Sequence, residues 1–359
     1  MEKVKKNIPT LRFPQFEGKW ETKKIGQILQ IGSGKDFKHL KKGNIPVFGT
    51  GGLMDKVDTA LYTGETVFIG RKGTIDKPVY FNGSFWTVDT LFYTYDFNLS
   101  YPKFVYALFQ RINWYAHNEA SGVPSLSKTT INSLKINLPS LSEQQKIANF
   151  LTTTDKRIEL LTKKKELCQQ YKKAMMQKLF SQELRFKDEN GKNFPKWETK
   201  KLREITESLS SGKTKPQNEG SINVYGSMGI IGKCIDATHK GEYILIARVG
   251  ANAGTLFVIN DEFSVTDNTL ILKLNERSIL KFIAYSLDKL NLNKLVFGSG
   301  QPLITAGQLK QLKINLPSLQ EQKKIAGFLT ALDKKVELVE KQIQFSEQFK
   351  KYLLQNLFV

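Results

Sequence analysis

Cysteine is scarce in this chain. Its 359 residues hold two, Cys168 and Cys234, too few and too unrelated in position for a disulfide framework. The three histidines, His39, His117 and His239, share no metal-ligand spacing. No apolar run approaches the roughly 18 residues that span a bilayer. The first residues, Met1-Glu2-Lys3-Val4-Lys5-Lys6, are basic with no apolar stretch behind them, unlike a secretory signal. The expected compartment is the cytoplasm, with no membrane partner. Acidic residues are in deficit, 34 Asp plus Glu against 54 Lys plus Arg, a formal charge of +20. That excess favours polyanionic partners, because each cation set on a phosphate releases condensed counterions. A lysine-rich solvated surface is the plainer alternative.

Catalytic signatures are missing too. Gly32-Ser33-Gly34-Lys35 and Ser211-Gly212-Lys213-Thr214 look like fragments of a phosphate loop, but the second would need glycine at the position of Glu207. No Asn-Pro-Pro-aromatic or Asp-Pro-Pro-aromatic tetrapeptide is present to hold a target amine. Cys168 falls on a helical pattern and reads as packed rather than reactive. The chain reads as a binder, not a catalyst, with no metal and no cofactor of its own.

What is present is repetition. LKINLPSL occurs at residues 134–141 and again at 312–319, each followed by a Glu-Gln-rich helical pattern. WETKK likewise recurs, at 20–24 and 197–201. A repeat of this size points to a two-part molecule. Between the repeats, residues 45–48, 66–69, 79–81 and 85–88 read as strands separated by glycines. Residues 101–113 have helical spacing. Residues 131–138 read as a strand or short helix. The second half repeats the plan with different loops: Ile246-Ala247-Arg248-Val249-Gly250 answers Ile69-Gly70-Arg71-Lys72-Gly73, and Gly300-Gln301-Pro302 answers Gly122-Val123-Pro124.

Those loops carry the candidate DNA contacts. Arg71, Lys72 and Arg248 each follow a strand and precede a glycine, so they can project from a loop; arginine can read guanine O6 and N7 or neutralise phosphate. Asn252 and Gln301 suit adenine N6 and N7, and Lys35, Lys128, Lys213 and Lys215 suit the backbone. For each, a solvated or structural polar role is the alternative. Asp89 and Asp267 read as turn-forming residues or hydrogen-bond acceptors.

Two proline-free stretches, 143–180 and 321–358, read as helices of about 38 residues, or about 57 Å at roughly 1.5 Å per residue. Ile147, Leu151, Thr154, Ile158 and Leu161 step by heptad spacing, as do Ile325, Leu329, Leu332, Val336, Val339 and Ile343. Further apolar pairs match at the same offset: Tyr171 with Phe349, Met175 with Leu353, Leu179 with Leu357. The two stripes are expected to pack on each other, antiparallel; the alternative is that each helix packs on its own globular domain.

Taken together, these marks resemble the specificity subunit of a type I restriction–modification system. The resemblance covers almost the whole chain and rests above all on LPSLSEQQKIANFLTTTDKRI and LPSLQEQKKIAGFLTALDKKV. It implies an α+β fold with two similar, β-rich target-recognition domains joined by two long antiparallel coiled-coil helices in a pseudo-twofold circular arrangement. Residues 1–138 and 183–316 would be the recognition domains, and 139–182 and 317–359 the spacer helices. The resemblance further implies a non-catalytic subunit that binds a bipartite duplex DNA target with two methyltransferase subunits. These would carry S-adenosylmethionine and methylate adenine N6, and added restriction subunits would use ATP and Mg to cleave. A coiled-coil scaffold with incidental charge, and an enzyme with an unfamiliar motif, are the competing readings.

Overall fold

In the computed structural model the glycine-punctuated segment after Trp20 folds as seven strands: β1 (Glu21–Lys24), β2 (Gln30–Ser33), β3 (Lys42–Gly49), β4 (Gly52–Val57), β5 (Tyr62–Gly70), β6 (Val79–Thr87) and β7 (Leu91–Tyr95). Helices α1 (Pro102–Arg111) and α2 (Lys128–Ser133), strand β8 (Lys135–Leu138) and the long helix α3 (Leu141–Phe180) follow. The structure describes residues 7–217, 219–297 and 303–359. By contacts, the chain divides into unit 1, Met1–Lys163 with Glu340–Val359, and unit 2, Lys164–Val339. The division runs through both long helices.

Unit 1 holds a six-stranded sheet in the order β2-β7-β5-β6-β3-β4, antiparallel except for the β3–β6 pair. Residues 79–81 and 85–88, read from sequence as two strands, belong to one. Gly83 lies inside β6 at φ +144°, opposite Gly64 of β5 at φ +146°. Two facing glycines let both strands bend where a side chain would be strained, so the ladder continues through a residue that reads as a break. One sheet face packs on α1. Val67, Ile69 and Phe92 join Phe104, Val105, Leu108 and Phe109 in the core, together with Ile147 and Leu151 of α3 and Leu353, Leu357 and Phe358.

Unit 2 repeats this plan with β9 (Glu198–Lys201), β10 (Thr206–Ser211), β11 (Ile222–Gly226), β12 (Gly229–Cys234), β13 (His239–Ala247), β14 (Leu256–Val265) and β15 (Thr269–Leu274). Then come α4 (Leu280–Leu290), α5 (Ala306–Lys310), β16 (Lys313–Leu316) and α6 (Leu319–Asn356). Its sheet order, β10-β15-β13-β14-β11-β12, matches strand for strand. Its core gathers Ile244, Ile246, Phe282, Ile283 and Leu287 with Met176, Leu179 and Phe180 of α3 and Ile325 and Leu329 of α6.

Each unit thus contains the start of one long helix and the end of the other, as antiparallel pairing requires. In unit 1 Lys350 binds Asp155 at 2.6 Å; in unit 2 Lys172 binds Asp333. Of the residues read as helix packing, Ile147, Leu151, Ile325, Leu329 and Val339 are buried. Ile158, Leu161, Leu332, Val336 and Ile343 are half-buried. Tyr171 and Phe349 are exposed, off the seam, whereas Met176 and Ser346 are buried. A straight helix drifts about 20° per heptad from a strict seven-residue repeat, so extending a seam by counting carries it off the contact face. No helix among the described residues is long and apolar enough to cross a membrane.

Candidate DNA interface and its supporting joint

The two literal repeats are strand partners. WETKK supplies β1 and LKINL supplies β8, in the register Glu21↔Leu138 to Lys24↔Lys135. β9 and β16 pair in the same way, Glu198↔Leu316 to Lys201↔Lys313. Even the side-chain bond recurs: Thr22 donates to Asn137 and Thr199 to Asn315, both at 2.9 Å.

The helix that follows begins on a serine. In both copies the N–H of the residue four beyond this serine donates to its carbonyl, Gln144 to Ser140 at 3.0 Å and Gln322 to Ser318 at 2.9 Å. Glu143 turns inward and, at 2% exposure, takes a two-pronged bond from Arg12, Nε to Oε1 and Nη2 to Oε2, both 2.8 Å. The Trp20 indole donates to the same carboxylate at 3.4 Å. In unit 2 Arg185 grips the fully buried Glu321 at 3.0 and 2.8 Å, and Trp197 donates at 3.0 Å. The hydrogen bond to each carboxylate, ahead of the opposing cost of burial, raises both arginine pKa values. The neighbouring glutamine ties in the domain helix. Gln144 Oε1 accepts the Tyr101 N–H in front of α1 at 2.8 Å, and Gln322 Oε1 accepts the Ile279 N–H in front of α4 at 2.9 Å. The Glu-Gln pair is therefore a structural joint. The sequence reading marks the repeat but not Arg12, Arg185 or the role of the tryptophans; the signal available is that Leu-Arg-Phe, at 11–13 and 184–186, recurs along with Trp and Glu-Gln.

The joint supports a loop cluster at one end of each sheet. In unit 1 the Arg71 N–H donates to Thr90 O at 2.8 Å and its carbonyl accepts the Leu126 N–H at 2.9 Å. Lys72 bridges Ser125, and the Gly73 N–H donates to Pro124 O at 2.9 Å. The arginine loop is thus clamped between the β6–β7 turn and the Gly-x-Pro turn. Arg71 Nη1 donates to Asp89 O at 3.2 Å, with the guanidinium 6.0 Å from the Phe92 ring centre. In unit 2 Arg248 donates to Asn268 O at 2.9 Å, accepts from Ile304 N at 2.8 Å, and places Nη1 3.4 Å from Asp267 O. Asp89 and Asp267 thus sit in turns and act through their backbone carbonyls. Each arginine uses one of its five N–H donors to position itself. Arg248 Nε is buried with no partner among the described residues.

Lys35 and Lys213 occupy equivalent places, exposed, just after a glycine. A Cβ on Gly34 would run into Val88 O, and one on Gly212 into Val265 O. What looked like a fragment of a phosphate loop is therefore a close backbone crossing that only glycine permits. Lys72, Lys215 and Asn252 are exposed and Lys128, the first residue of α2, is half-buried. Gln301 lies outside the described residues. A concavity of about 790 Å³ in unit 1 is lined by Asp36, Gly49, Leu53, Met54, Val88 and Asp89, among others.

A second surface lies on the long helices. Leu160, Leu167 and Tyr171 share one face of α3; Leu338, Phe345, Phe349 and Tyr352 share one face of α6. All seven are exposed. Leu160 matches Leu338, Leu167 matches Phe345 and Tyr171 matches Phe349 in the repeat.

Comparison with known proteins gives consistent results. The family described as type I restriction modification DNA specificity domain matches twice, over residues 17–169 and 195–345. A type I specificity subunit of Mycoplasma pneumoniae is 31% identical over 189 residues, 46% of this chain and 61% of that protein. The MjaVIII type I restriction enzyme specificity subunit of Methanocaldococcus jannaschii is 27% identical over 278 residues, 67% of this chain and 65% of the relative. The chain therefore spans less than two thirds of the length of these curated relatives. The crystal structure of a type I restriction-modification S subunit from M. genitalium superposes with a TM-score of 0.72 at 18% identity, over 98% of this chain and 99% of that one. A structure from work on assembly and conformational transition of the type I R-M system gives 0.56 at 14% identity, covering 93% and 96%. With the family matched across both halves, this chain belongs to the type I restriction–modification DNA specificity family.

Proposed function

We propose that each unit reads one half of a bipartite duplex DNA sequence, and that α3 and α6 connect the readers and dock two methyltransferase subunits. One observation carries this reading: the same clamped arginine loop is built twice on the same framework, with different residues around it. A single binding task would not need two scaffolds with divergent loops. The chain contributes recognition, not catalysis. S-adenosylmethionine, for adenine N6 methylation, and ATP with Mg, for cleavage by restriction subunits, belong on the partners.

The direct test exchanges residues 195–311 for the corresponding segment of another family member, co-expressed with the cognate methyltransferase subunit. Methylome sequencing is expected to show one half of the modified sequence replaced and the other kept. A hybrid that changes both halves would sink the proposal.

The outward apolar face of the helices is the proposed methyltransferase dock, since a face present twice suits two copies of one partner. Phe345→Ser together with Leu338→Ser should weaken that association by about 30-fold or more, the size typical of a lost aromatic anchor. Sedimentation of the mixed subunits reads this out. Unchanged stoichiometry and affinity would assign the face to something else.

A further inference from the structure

The hairpin beside the arginine loop carries the same irregularity in both units. In unit 1 the β3–β4 register slips so that Val47 faces Asp55 while Phe48 faces Leu53, leaving Met54 as the extra residue. In unit 2 Val224 faces Gly232 while Tyr225 faces Ile230, leaving Ile231 extra. A bulge of this kind takes one residue out of the ladder and re-aims its side chain. In each unit that side chain lies over a glycine. A Cβ on Gly49 would stand 2.6 Å from Met54 Sδ, and one on Gly226 would stand 2.9 Å from Ile231 Cδ1.

Despite that seat, the pairs stay open to solvent: Leu53 and Met54 are 60% and 58% exposed, Ile230 and Ile231 56% and 41%. Both strands, β4 and β12, are sheet edges, where proteins ordinarily place charge to discourage aggregation. Neither core uses these residues. Both pairs adjoin the arginine loop. Leu53 and Met54 line the same concavity as Asp89 and Thr90, which hold Arg71. In unit 2 Ser227, in the β11–β12 turn, donates to Asn268 O at 2.7 Å, the carbonyl that also accepts the Arg248 N–H.

We propose that the bulge pairs Leu53–Met54 and Ile230–Ile231 meet the major-groove edges of the bound duplex and select thymine through its C5-methyl group. The inference rests on the reading of the units as DNA recognisers. Charge complementarity names the occupant: the Asp89 and Thr90 carbonyls beside Leu53 and Met54 hold Arg71, and the turn that leads to Ile230 and Ile231 shares the Asn268 carbonyl with Arg248, in a chain of net charge +20. Of the groups presented by the major groove, the thymine methyl is the apolar one; the rest are donors and acceptors. An apolar side chain pressed on a donor or acceptor would leave it unpaired, whereas against the methyl it removes apolar surface from water. The bulge fixes the position, and the identity of the pair differs between units as two different half-sites require.

The experiment uses the full chain co-expressed with its cognate methyltransferase subunit, its target first defined by methylome sequencing. Thymines of each half-site are then replaced one at a time by deoxyuridine, which lacks only the methyl. Wild-type complex should lose about three- to fivefold in binding at a thymine in each half, the worth of one methyl group. Leu53→Ser with Met54→Ser should remove that sensitivity in one half only, and Ile230→Ser with Ile231→Ser in the other. Melting temperatures should stay unchanged, because the residues are exposed. A defined target with no deoxyuridine effect in the wild type, or with no A·T pair in a half-site, overturns the inference alone. So does an equal loss of affinity by the variants for every sequence, the mark of a non-selective wedge. Methylation without any sequence preference overturns the functional reading and the inference together.

Discussion

Glu321→Ala is expected to destabilise unit 2 by about 3–5 kcal/mol, and Glu143→Ala to do the same in unit 1. In the native joint the Glu321 carboxylate has no solvent exposure and is held by three donors, two from Arg185 and one from Trp197. Truncation leaves the guanidinium partly buried, still bonded to Phe194 O and Pro195 O but facing an apolar methyl. The penalty is that of an unpaired charge in place of a satisfied one. Removing both partners, as in Arg185→Met with Glu321→Leu, should recover most of the loss, because no charge is then stranded. For units of this size the single variants correspond to a fall in Tm of about 6–20 °C at roughly 2–4 °C per kcal/mol. Calorimetry on the wild type, the two glutamate variants and the Arg185→Met/Glu321→Leu double variant checks this. A fall below 1 kcal/mol for Glu321→Ala would mean that the joint does not hold the helix to its domain.

Binding of the assembled complex to its target should weaken about 10³- to 10⁵-fold between 50 and 200 mM salt, given about six to ten phosphate contacts. The exposed lysines following the forced glycines, Lys35 and Lys213, are expected among those contacts. Replacing either by alanine should weaken binding uniformly across sequences and reduce the salt slope by about 1. Arg71→Ala and Arg248→Ala should behave differently. Each guanidinium is held at a turn carbonyl, so its remaining donors keep a fixed direction, as base reading requires. Their loss should relax preference in one half-site. Titrations at several salt concentrations separate the two classes, and salt-independent affinity would contradict the polyanion reading.

The sequence carried the duplication openly, and with it the two-unit plan. WETKK and LKINLPSL were visible as repeats, yet not as partners. Their strands are four residues long and lie more than a hundred residues apart, and so short a segment carries no pairing information of its own. The helix starts were placed at Glu143 and Glu321; the structure begins each two residues earlier, at Leu141 and Leu319. The arginine loops are legible because a basic residue before a glycine recurs between matched strands. The bulges are not legible in the sequence, since an extra residue in a ladder is defined only by its partner strand. Arg12 and Arg185 stand in a repeated Leu-Arg-Phe, yet their role is not legible from it: each lies in an irregular segment, and the glutamate that explains it is far along the chain.

Because residues 340–359 belong to unit 1, the order of synthesis and the order of completion are reversed. Leu353, Leu357 and Phe358 close the unit 1 core, and the Leu11 N–H binds Asn356 O at 2.8 Å. Unit 2 is one continuous segment, whole once Val339 has been made. Unit 1, although begun first, waits for residues 340–359, a stretch that a ribosome adds in roughly one to four seconds at about 5–20 residues per second. Until then Trp20 and Phe104, which pack around Phe358 in the finished core, lack that cover. The unit begun first is thus the later of the two to be completed.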